Sequence, residues 1–63
     1  MKDFYFVFSD DCTGEDFIVN ARGFRLRDAL LAAQDIASGY FSDPHYEYEV
    51  DERQAEWLGY DVY

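Results

Sequence analysis

The sequence predicts a small α+β domain: an antiparallel sheet of about three strands with one long and one short helix on one face, in the order β-β-α-β-α. Three observations predict it. Aromatic and β-branched runs stand at residues 4–8 and 17–22, an apolar stripe spaced by threes and fours extends from Leu26 to Tyr40, and residues 45–50 alternate strictly.

Phe4-Tyr5-Phe6-Val7-Phe8 favours a strand, with Phe4, Phe6 and Phe8 on one face by the period of two. Ser9 to Asp16 is turn chemistry, and Phe17 to Arg22 resumes the strand pattern, so a hairpin with a wide acidic loop is expected. Gly23 breaks that run. Leu26, Ala29, Leu30, Ala33, Ile36, Ala37 and Tyr40 then fall on one side of a helix expected to end near Gly39 and to cover the sheet. Pro44 forces a turn, because it excludes the preceding residue from helical space. In the strand that follows, Tyr46, Tyr48 and Val50 are expected inward and His45, Glu47 and Glu49 outward. Asp51 with Gln54 three residues on reads as a capping box, opening a short helix through Trp57 and Leu58 that Gly59 stops. Tyr60 to Tyr63 reads as a fraying tail or a short edge strand.

Residues 1–63 are read as a single acidic domain, since this length leaves no room for a cofactor fold or a large cleft. Six Phe, six Tyr and Trp57 supply the core that a disordered acidic segment would lack. Cys12 is the one cysteine, which excludes an intrachain disulfide and a zinc site built from cysteines, and points to a reducing cytoplasm. The opening apolar run is too short for a signal peptide or a span, so no membrane role is expected.

Fourteen acids against five bases give a formal charge of −9. Residues 28–63 hold Arg53 alone against nine acids, a net −8. Such a body repels DNA, RNA and anionic lipid and attracts cationic surfaces, so direct nucleic-acid binding is not expected.

The candidate chemical groupings are weak. Glu47 and Glu49 on one strand face would stand about 6.7 Å apart, which overlaps the spacing in inverting glycosidases, but an outward strand face encloses no sugar. Aligning Gly14 with the invariant glycine of a calcium loop leaves Asn20 where a bidentate glutamate is needed. Cys12 is surrounded by acids that disfavour its thiolate, and His45 has no second His or Cys to complete a metal site. No catalytic residue, metal or cofactor is therefore assigned. Arg22, Arg25 and Arg27 form the basic cluster and are expected to pair with local acids such as Asp28 or to help hold a partner.

The informative feature is the acidic, aromatic second half. Asp43, Glu47, Glu49, Asp51, Glu52, Glu56 and Asp61, interleaved with Trp57 and Tyr60, form the expected partner-binding surface, and Asp10, Asp11, Glu15 and Asp16 form a secondary acidic loop. Alternate phosphates of a DNA strand advance about 6.8 Å, close to the ideal Glu47 to Glu49 spacing, so alternating acids on a strand can imitate a phosphate row. Tyrosine and tryptophan beside them would anchor an interface.

In size, acidity, compact aromatic α+β layout and absence of catalytic motifs, the chain resembles the small acidic DNA-mimic anti-CRISPR and anti-restriction proteins of phages and mobile elements. The resemblance implies a non-enzymatic inhibitor, acting in the bacterial cytoplasm, that occupies the basic DNA-binding surface of a host defence complex such as a Cas effector subunit. The alternative from another class is a structural or regulatory interaction module, a homodimer joined through Trp57, Tyr60 and Tyr63. The expected state is a monomer or a weak homodimer.

Overall fold

β1 (Lys2–Asp10) and β2 (Asp16–Gly23) form the central hairpin of a computed structural model that describes every residue from Met1 to Tyr63. α1 (Leu26–Tyr40), β3 (Pro44–Val50) and α2 (Glu52–Leu58) follow, so the domain is α+β in the expected order. The sheet order is β2-β1-β3, with both pairings antiparallel and the aromatic strand β1 in the middle.

Successive side chains of a strand point to opposite faces, and both faces of this sheet are covered. Phe6, Phe8, Phe17, Val19 and Ala21 line one face beneath Ala29, Ala33 and Ala37 of α1. Val7, Ile18 and Val50 line the other beneath Ala55 of α2. The helices therefore lie on opposite faces, which corrects the expectation that they share one. The reason is in the hairpin: Phe6-Val7-Phe8 and Phe17-Ile18-Val19 are continuous apolar triplets, and a triplet buried throughout needs cover on both sides.

Alanines at every fourth position let α1 lie close to the sheet. A Cβ added to Gly23 would come within 2.8 Å of the Ala29 backbone nitrogen, so the glycine that ends β2 also admits the first turn of α1. The ends of the apolar stripe, Leu26 and Tyr40, remain exposed. The helix ends near Gly39, as expected. It runs on to Tyr40, and Phe41, in extended conformation, caps it by donating its N–H to the Ala37 carbonyl. Phe41 then stacks on Phe17 with ring centroids 3.9 Å apart.

The C-terminal segment is an edge strand in miniature rather than a fraying tail. Val62 bridges Ile18 in parallel; Ile18 N–H donates to the Asp61 carbonyl, while Tyr63 N–H donates to the Ile18 carbonyl and its own carbonyl accepts from Asn20 N–H. The outer edge of β2 is thus occupied at this point, and no strand pairs with the outer edge of β3. That edge is also irregular. Tyr48 pairs with Val7 and Tyr46 with Phe8, leaving Glu47 as an extra residue without a partner on β1. The bulge puts Tyr46 on the α1 face, edge-on to the Phe6 and Phe8 rings, while Tyr48 shares the face of Val7. The expectation that Tyr46, Tyr48 and Val50 share one face is corrected accordingly.

Candidate interaction surface

Of the fourteen acids, all but Asp10 are exposed. Asp10 has the same strand parity as Phe6 and Phe8, and only 1% of it is accessible. One of its carboxylate oxygens accepts the Asp43 N–H at 2.9 Å, and the other accepts the Thr13 hydroxyl at 3.0 Å and the Thr13 N–H at 3.3 Å. Burial acts to raise its pKa, but the hydrogen bonds from Asp43, Thr13 and Cys12 outweigh burial and hold the carboxyl below its ordinary value. Asp10 is therefore an internal tie between the hairpin loop and the entry to β3, not part of an acidic contact surface. The other members of the expected loop site, Asp11, Glu15 and Asp16, do lie outside.

The tie brings together three groups that are far apart in sequence. Asp11 N–H donates to the Asp43 carbonyl, and His45 Nε2 lies 3.1 Å from Asp11 Oδ2 and 3.2 Å from Asp43 Oδ1. His45 is thus a partner of two acids rather than a solitary surface histidine. The one ligand atom of each residue falls within 4.8 Å of the others, all three residues being exposed. Local sequence showed only a histidine without a second His or Cys; the pairing of Asp10 with Pro44 across β1 and β3 creates the arrangement.

The remaining acids follow β3 and α2. Glu49 lies opposite Phe6, on the α1 face of the edge strand, and Glu47 occupies the bulge, so the uniform spacing of an ideal strand does not hold between them. Asp51 caps α2: its Oδ1 accepts the Gln54 N–H at 2.7 Å, and Gln54 Oε1 accepts the Asp51 N–H at 3.3 Å. Glu52 and Glu56 line a hollow of about 330 Å³ with Tyr5, Ala55, Tyr60 and Val62. The Tyr5 hydroxyl feels them: burial first, then the charges of Glu52, Asp3 and Glu56, raises its pKa. Asp61 stands apart, on the segment that pairs with β2.

Almost none of this charge is neutralised. The one ion pair to an arginine joins Arg22 and Asp3 at 3.4 Å, directly across β1 and β2, so Arg22 does not pair with Asp28. Arg25 and Arg27 make no ion pair, and nothing in the structure explains them. The aromatics divide. Trp57 is 84% exposed, whereas Tyr60 packs against the Val7 cluster and Tyr63 is set among Phe17, Tyr40 and Phe41. Tyr63 is therefore half-buried against rings of its own chain.

No protein family, curated protein or solved structure matches the chain. No helix is long and apolar enough to cross a membrane.

Proposed function

We propose that this protein is a non-enzymatic acidic module that docks on a basic nucleic-acid-binding protein and excludes nucleic acid from it. One observation carries the reading: Glu47, Glu49, Asp51, Glu52, Glu56 and Asp61 make no ion pair, and neither do Arg25, Arg27 and Arg53. Uncompensated charge of one sign costs a small protein stability, and it speeds and orients encounter with an opposite field. The acids from Asp43 to Glu56 follow one another in sequence, Glu47 and Glu49 on the unpaired edge strand β3 and Glu52 and Glu56 on α2 over the other face of the sheet from Glu49, and Trp57 is exposed on α2 as an aromatic anchor. The resemblance to DNA-mimic inhibitors extends the proposal to a host defence complex, such as a Cas effector subunit, as the target.

The test is competition. Proteins captured from a bacterial lysate on this protein are offered labelled duplex DNA, first alone and then with the acidic module present. Displacement of DNA is the expected result, and Glu47→Lys with Glu49→Lys weakens it by about tenfold or more at low salt, whereas Asp11→Lys with Glu15→Lys has a much smaller effect. Simultaneous binding of DNA and module, or equal effects of the two pairs of reversals, rejects the reading.

A further inference from the structure

The hollow beside α2 combines three properties that suit one kind of guest. Ala55, Val62, Tyr5 and Tyr60 are among its lining residues. Glu52 and Glu56, one helical turn apart, also line it, and neither has a cationic partner. Arg53, the one base of α2, is not among the lining residues and makes no ion pair. At about 330 Å³ the space is at the small end of ligand pockets and has room for one long side chain. Burial first, and then the charges of Glu52, Asp3 and Glu56, raise the Tyr5 pKa.

We propose that this hollow seats one basic side chain, arginine or lysine, projecting from a protein partner. The cation would lie between the carboxylates of Glu52 and Glu56, and its methylene stem would lie along Tyr5, Ala55 and Tyr60, gaining charge-assisted hydrogen bonds, cation–π attraction and apolar contact at once. A partner's chain also reaches Asp51, the residue next to Glu52, which a free amine in the hollow does not. This deepens the proposed function and rests on it, since it supplies the anchor for the basic partner.

Amide-resolved NMR titration distinguishes the two ideas. The probes are capped Gly-Arg-Gly and Gly-Lys-Gly peptides, the same peptide with neutral citrulline, and octa-arginine. Saturable shifts at Tyr5, Ala55, Gly59 and Val62 are expected with the arginine or lysine peptide and not with citrulline. Glu52→Gln with Glu56→Gln should weaken them at least about tenfold, whereas Asp28→Asn, an exposed acid of α1 outside the hollow, should leave them unchanged. The same double variant, if folded as judged by its amide spectrum, should bring the Tyr5 phenol titration down towards its ordinary value. Equal binding of the citrulline peptide overturns the assignment, because the hollow is then merely apolar. Octa-arginine shifts spread along β3 and α2, with both tripeptides silent, overturn the hollow and keep the cationic partner. Silence from every probe overturns both.

Discussion

Asp10 is a charged side chain that serves the fold and not the surface. Its carboxylate receives a backbone N–H from Asp43, thirty-three positions away, and both donors of Thr13, and in doing so it fixes where β3 begins. Its folded-state pKa is lowered from 3.8, so it binds its proton less readily in the native chain than in the unfolded one. The stability it contributes is then fully present above 3.8 and is lost as the pH falls through the lower, folded value. Asp10→Asn should be less stable than the parent near neutral pH, and its melting temperature should fall less steeply between about pH 5 and about pH 2. Parallel slopes for the two proteins would show that the carboxylate's charge is not what the three donors require. Asp10 was legible, had the parity of Phe6 and Phe8 been carried one step further along β1. The clustering of acids around the loop obscured it, because acidity suggests solvent.

At the scale of elements, two glycines should answer the same substitution in opposite ways. Gly39 lies inside α1 with no atom near a new Cβ, so Gly39→Ala removes backbone freedom from the unfolded chain and should stabilise by about 0.5–1 kcal/mol. Gly23→Ala drives a methyl to 2.8 Å from the Ala29 nitrogen, a backbone atom that moves only with the helix, and should cost about 1–3 kcal/mol. Urea unfolding of the two variants checks both signs, and a neutral Gly23→Ala would mean that α1 is free to lift from the sheet. The elements whose signals are local were readable: the stripe of α1, the capping box of Asp51 and Gln54, and the stop at Gly59, whose φ of 72° suits glycine. What was not readable depends on partners distant in sequence. The bulge at Glu47 is a mismatch of register between β1 and β3, invisible in the alternation of β3 alone, and the seat of Val62 is defined only by Ile18 across a gap of forty-four residues. The covering of both faces did have a local trace in the buried triplets of β1 and β2, but a short apolar run does not itself state which side each helix takes.

The whole molecule is small beside the reach of its own field. Its extents are 32 × 24 × 15 Å, while charges in dilute salt interact over roughly 30 Å, so at low ionic strength nearly every acid senses every other. With a net charge of −9 and only one of fourteen carboxylates paired to an arginine, self-repulsion should act against the folded state. Raising the salt concentration from about 0.01 M to about 0.5 M should therefore raise the melting temperature and then level off, as the screening length contracts below the spacing of the acids. The same salt should weaken association with a cationic partner, because the charge that opposes folding is the charge that would drive docking. A dimer joined through Trp57 makes a different demand: apolar contact survives screening and gains from reduced repulsion, so sedimentation would show the mass rising with salt. Melting temperature and mass measured on one salt series thus separate an acidic docking module, stabilised by salt as a monomer, from a self-associating one. A melting temperature that falls with salt would mean that the carboxylates are compensated in solution, and with that the reason to look for a basic partner would go.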